Sequence, residues 1–174
     1  RANFLVEKLC SKDEISAKLK EGYDAHKKVF GFYDGKESYL LTLKDGSAME
    51  NAMPDASDAL RGLDVSVLHT LLLEQVLHID KENMAKQINL TYTRDDAEAF
   101  SAAEGAANGC FIINPTRIDE IAAVAAAGEK MPQKSTYFYP KLTTGLVMNK
   151  LDRVKEEPEE VQKKAEYVEP EAEI

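Results

Sequence analysis

The chain has 174 residues, enough for one domain and a tail. Its hydrophobic content of 44% supplies a sizeable core, yet no apolar run approaches the roughly 20 residues that span a bilayer. A net charge of −9 argues against nonspecific nucleic-acid binding, which needs a positive face for the phosphates.

The first residues, Arg1-Ala2-Asn3-Phe4, lack the charged-then-apolar pattern of a signal peptide and do not begin with Met. Two cysteines, Cys10 and Cys110, border apolar stretches, as buried reduced thiols do. The expectation is a cytoplasmic protein, cut from something longer. No Cys or His pair stands at zinc spacing, so no metal is implied, and no cofactor motif is recognisable.

Ser11-Lys12-Asp13-Glu14 reads as a capping box ahead of a helix over about residues 12–21, with Ile15 and Leu19 inward. Val29–Tyr33 and Lys36–Leu43 flank Asp34-Gly35, a strong hairpin signal because both turn residues tolerate positive φ. Pro54-Asp55 opens a short helical turn. Asp64 then reads as the N-cap of a central buried helix over 65–77, whose stripe is Val65, Leu68, Leu72 and Val76, widened by Leu71 and Leu77.

Ile88–Thr93 alternates like a strand. Asp95–Glu104 reads as a helix with Ala97 and Phe100 inward, and Cys110–Ile113 as a short buried strand. Asn114 and Pro115 are the expected N-cap and first residue of a helix with Ile118, Ile121, Ala122 and Ala125 on its apolar face, closed by Gly128. Tyr137-Phe138-Tyr139 is β-prone, and Leu146-Val147-Met148 fits a last strand. Residues 151–174 hold nine acidic and four basic residues, a composition typical of disordered tails or an isolated helix. The sum is an α+β domain over 1–150: a mixed, largely antiparallel sheet with an N-terminal hairpin and three to four helices packed on it.

Chemistry concentrates in Met131–Lys141. Lys134, Ser135, Thr136, Tyr137, Tyr139 and Lys141 crowd this stretch, with Pro132 and Pro140 stiffening it. Either the tyrosines cover a core edge and the lysines are solvated, or the donors gather a small anion such as phosphate. Arg94 and Arg117 each follow an expected strand end at a helix start, where free N–H groups favour anions, and would flank such a cleft. The alternative is that Thr93, Asp95 and Asn114 only cap helices. Asp64 and His69 are five apart, a poor match to one α-helical face, so they read as a cap and a partly buried core histidine.

Met131-Pro132-Gln133-Lys134-Ser135-Thr136-Tyr137-Phe138-Tyr139-Pro140-Lys141, followed by Thr144-Gly145-Leu146-Val147, resembles the C-terminal signature of the prokaryotic "domain of unknown function 1015" family. Leu63–His69, Leu90–Asp95 and Phe111–Arg117 match its pattern in the same order, so the resemblance covers about residues 25–149. Gln133 departs from the proline expected there. The resemblance implies a protein about twice this length, with an N-terminal half bearing an Asp-Gly-His-His-Arg-like motif and likened to the ParB and sulfiredoxin group, some of which handle nucleotides. This chain has no His-His pair, so it would be the C-terminal half. The implied role is a binding or structural module that completes an anion site with that missing half. The alternatives are part of a nucleotide-dependent small-molecule phosphotransferase and, against the charge, a DNA-partition accessory protein.

Overall fold

The computed structural model describes residues 3–136. The expectations for Tyr137–Tyr139, Lys141, Leu146–Met148, the boundary near Lys150 and the acidic tail lie outside the described residues.

The hairpin forms as its chemistry dictates. Strands β2 (Val29–Tyr33) and β3 (Ser38–Leu43) pair antiparallel, with Tyr33 opposite Ser38. Between them, Asp34 Oδ1 accepts the N–H groups of Lys36 and Glu37 at 2.9 and 2.7 Å, closing the turn on itself. Gly35 takes φ +89°, and a Cβ there would meet the Ala103 carbonyl oxygen at 2.5 Å, so only glycine fits. Strand β1 (Phe4–Leu9) adds to β3 and β4 (Cys110–Ile113) adds to β2, giving the order β1-β3-β2-β4 with every pairing antiparallel. The domain is thus α+β.

Each face of the sheet carries its own core, because side chains alternate along a strand. On one face Leu9, Val29, Tyr33, Leu40 and Ile112 pack with Ile15 and Leu19 of helix α1 (Asp13–Asp24). Gly31 makes this close approach possible, since a Cβ there would lie 2.3 Å from Ile15 Cγ2. On the other face Phe4 meets Phe30 edge-on at 6.0 Å, above Met49 of α2 (Ser47–Ala52) and the leucines of the central helix. Full burial of side chains such as Phe30 and Leu71 contributes roughly 1.5–3 kcal/mol each.

The central helix departs from its expected form. It begins as α4 (Asp64–Val67), one residue after its cap Leu63, and widens into a π-helix over Leu68–Glu74. The sequence explains the widening. Leu71, Leu72 and Leu73 are consecutive and all buried, and in an α-helix they would spread over about 200° of arc. Wider turns let Leu68, Leu71, Leu72 and Leu73 share one core. The change of phase carries Val76 and Leu77 out of the stripe, leaving them 62% and 48% exposed.

A third cluster joins α3 (Asp58–Arg61), α4 and α7 (Ile118–Ala126) through Leu63, Val65 and Val124, with Met131 packed against it. Helix α7 therefore buries Val124, while Ile118 is 84% exposed and Ala122 and Ala125 also face outward. Its cap is Arg117, not Asn114. Asn114 is buried and donates its Nδ2 to the Leu19 carbonyl at 3.0 Å, locking β4 to α1.

Ile88–Thr93 forms no strand. The Asn89 N–H goes to Asn83 Oδ1 at 3.1 Å, folding the segment back on α5 (Lys81–Lys86). Helix α6 (Asp96–Glu104) starts at its expected cap, Asp95, but turns Ala99 and Ala103 inward and leaves Ala97 exposed. Ser11 does not cap α1 with its side chain, although Glu14 reaches back to the Cys10 N–H at 3.2 Å. Cys10 is exposed and Cys110 half-buried, both as free thiols.

Candidate functional site

Two polar clusters lie at opposite ends of the central helix's first turns. The smaller one is built on Asp64. Lys28 places its ammonium 2.9 Å from Asp64 Oδ1 and 2.9 Å from Glu120 Oε1, so one cation serves two carboxylates. Glu120 also accepts the Arg117 N–H at 3.0 Å. The Arg117 guanidinium donates to the Tyr23 carbonyl and stacks on the Tyr23 ring at 3.6 Å. These residues surround a cleft of only about 30 Å³, smaller than an organic ligand. Burial draws the Lys28 ammonium down, but its two carboxylates outweigh that and raise it. Burial raises the Asp64 carboxyl, because Lys28 is shared and compensates it incompletely.

The larger cavity holds about 270 Å³. Ser66 and the π-helix residues His69, Thr70 and Glu74 form one side. Met53, Lys81 and Met84 add a second side, and Tyr92, Pro132 and Gln133 a third. The π-helix explains how so many polar groups reach one space. His69 and Glu74 stand five apart, one π turn, and thus share a side that α-helical spacing would deny them. Such bulges are frequent at functional sites.

The cavity's polar groups are poorly satisfied. Ser66 is 3% exposed, yet its hydroxyl has no hydrogen-bond partner among the described residues. A buried hydroxyl left without a partner costs about 1–3 kcal/mol. His69 is half-buried, and burial lowers its imidazole below the ordinary range, so it is neutral at pH 7. Burial also raises the Tyr92 phenol, which stays protonated. Thr70 donates to Met53 Sδ at 3.5 Å, holding the thioether against the wall. No group of three His, Cys, Asp or Glu side chains among the described residues is placed to hold a metal ion.

The expected site residues divide between these places. Pro132 and Gln133 bring the start of the Met131–Lys141 block to the larger cavity. Ser135 turns inward on its own chain, donating its hydroxyl to the Pro132 carbonyl at 2.6 Å. Its carbonyl in turn accepts the Thr116 hydroxyl at 3.1 Å, which ties the block to the β4–α7 loop. Lys134 adopts φ +58° and is exposed, and Thr136 is half-buried. Arg117 belongs to the smaller cluster, while Arg94, two residues after Tyr92, is exposed and lines neither of these two cavities. Tyr137, Tyr139 and Lys141 lie outside the described residues. Ser66, His69, Thr70 and Glu74 do not share a side at α-helical spacing, so the sequence pattern alone does not group them at one cavity. Three consecutive leucines were the available signal.

An α+β domain with a cavity lined in part by a buried serine whose hydroxyl is unpartnered is the class that fold and site define. No family model, no curated protein and no solved structure matches the chain. No helix among the described residues is long and apolar enough to cross a membrane.

Proposed function

We propose that this chain is a small-molecule-binding module and that its ligand occupies the cavity beside the π-helix. One observation carries the reading: Ser66 is a lining residue of the cavity, and its buried hydroxyl has no hydrogen-bond partner among the described residues. A ligand polar atom would satisfy it, while Met53, Met84 and Pro132 cover an apolar body. The resemblance to the "domain of unknown function 1015" family extends the proposal. In the longer protein, an N-terminal half would add further groups to the site.

A fragment screen by thermal shift, with inorganic phosphate as a separate probe, tests the reading. Hits should perturb the NMR signals of Ser66–Glu74, Met84 and Tyr92. Thr70→Phe, which fills the cavity from a half-buried position, should abolish binding without unfolding the protein. Hits that bind Thr70→Phe unchanged would show that the ligand sits elsewhere.

A further inference from the structure

Strand β1 is an outer strand of the sheet, and its hydrogen bonds to β3 fix which main-chain groups it leaves over. In an antiparallel pair, residues that exchange main-chain hydrogen bonds alternate with residues that do not. The Lys44 N–H donates to the Asn3 carbonyl at 3.0 Å, so Asn3 and then Leu5, Glu7 and Leu9 turn their main-chain groups toward β3. The neighbouring Leu43 N–H donates the other way, to the Lys28 carbonyl at 2.9 Å beside β2, in the same phase. Phe4, Val6 and Lys8 therefore direct their N–H and C=O groups out of the sheet. None of these groups has a main-chain partner among the described residues.

Natural edge strands are commonly blunted by a proline, a bulge or charged side chains. Strand β1 has no proline, and its register with β3 runs unbroken from Phe4 to Leu9. Leu5 and Val6 are 60% and 41% exposed. Of its two charges, the Lys8 ammonium is matched by Glu37 at 2.5 Å.

This edge is complementary to a second copy of itself. With a two-fold axis at Val6, perpendicular to the sheet, Val6 lies opposite Val6 of the second copy, and Phe4 lies opposite Lys8. Each such pair exchanges two hydrogen bonds, which uses every outward main-chain group of the three residues. Between them Leu5 lies opposite Glu7, and the two Leu5 side chains are diagonal neighbours across the axis. No carboxylate opposes a carboxylate. A parallel pairing, or an antiparallel one centred one residue later, would set Glu7 against Glu7. The other outer strand, β4, is only four residues long, and joining it to β1 of the next copy would propagate an open chain instead of a closed pair.

We infer that the chain forms a two-fold dimer through β1, in which the two sheets join edge to edge. Main-chain hydrogen bonds hold it, and Leu5 and Val6 supply the apolar contact. So small an interface makes a reversible dimer that depends on concentration.

Sedimentation of the whole chain between about 10 µM and about 1 mM tests this, because a weak dimer populates over that range. Each copy carries a net charge of −9, so about 0.15 M salt is used to screen repulsion beyond roughly 8 Å. The expected result is a monomer–dimer equilibrium. Val6→Pro removes an N–H that points away from β3, so it should weaken the dimer at least tenfold and leave the β1–β3 ladder intact. Val6→Lys repeats the test without constraining the backbone, by setting two ammonium groups across the axis. In a Cys10→Ser, Cys110→Ser background, Val6→Cys should oxidise to a disulfide-linked dimer, since residues paired in this way have Cα atoms about 5.5 Å apart. Leu5→Cys, at the more exposed position but opposite Glu7, should cross-link far more slowly. A monomer at every concentration, a dimer that survives both Val6→Pro and Val6→Lys, growth beyond two copies, or equal cross-linking at Leu5 and Val6 would each overturn the inference.

Discussion

The two polar clusters share one helix and behave oppositely. At its first residue, the Asp64 charge is matched by the Lys28 ammonium at 2.9 Å, which also serves Glu120, although Asp64 Oδ1 accepts no well-aligned hydrogen bond, and Arg117 is spent on the Tyr23 ring and carbonyl. Two residues later, Ser66 is more deeply buried and has no partner among the described residues. Three residues beyond that, His69 faces the same open space. A buried polar group that is paired explains itself as structure. One that is unpaired beside a cavity persists at a cost of about 1–3 kcal/mol, and that cost needs a reason outside the fold. The first cluster clamps α1, the central helix and α7 together. The second has the features of a place kept ready for a molecule.

The largest effect that separates them is expected at Lys28. Lys28→Met would leave Asp64 and Glu120 partly buried with no ammonium between them and should destabilise the fold by about 2–3 kcal/mol. Asp64→Asn should be far milder, within about 1 kcal/mol, because the lysine keeps Glu120 and a poorly compensated carboxylate is removed. Urea unfolding of both variants checks this asymmetry. Equal losses would mean that Asp64, not Lys28, is the centre of the clamp.

How much of this was legible in the sequence depended on how local the cause was. The β2–β3 hairpin was readable because Asp34 and Gly35 settle the turn among four residues. The cap Asp95 was readable for the same reason, since it accepts from Ala97 and Glu98 within its own first turn. Strand β1 was not, because Glu7-Lys8 hides its alternation and its partner β3 follows only after a whole helix and another strand. Asn114 looked like a cap because the local signal was a cap. Its actual partner, the Leu19 carbonyl, is 95 residues distant. The cavity was least legible of all. It depends on a π-helix that tertiary packing of the leucines imposes, and a single step of phase decides which side chains face it.

A smaller effect sharpens the contrast from the other cluster. Ser66→Ala removes an unpaired hydroxyl without making a large void, so the unliganded fold should be unchanged or up to about 1 kcal/mol more stable. The same substitution should weaken any bound ligand several-fold. Chemical unfolding with and without the ligand measures both. A clear loss of unliganded stability would show that Ser66 is paired after all and would dissolve the difference between the clusters.

The smallest effect is a pH dependence with a definite sign. Burial lowers the folded-state His69 below its ordinary value near 6.5, so at mildly acid pH the unfolded chain binds the proton more readily. The stability that neutral His69 contributes is therefore fully present above about pH 6.5 and lost as pH falls through the folded value, at no more than about 1.4 kcal/mol per pH unit. Asp64 acts in the opposite sense. Its folded-state carboxyl is raised, so its contribution is present at acid pH and lost as pH rises through the folded value. The two groups are distinguishable by variant: His69→Gln should flatten the unliganded stability profile just below pH 6.5, and Asp64→Asn should leave that part of the profile unchanged. Unliganded stability that falls as pH rises toward 6.5, or a slope that His69→Gln leaves in place, would show that burial of His69 is not its source.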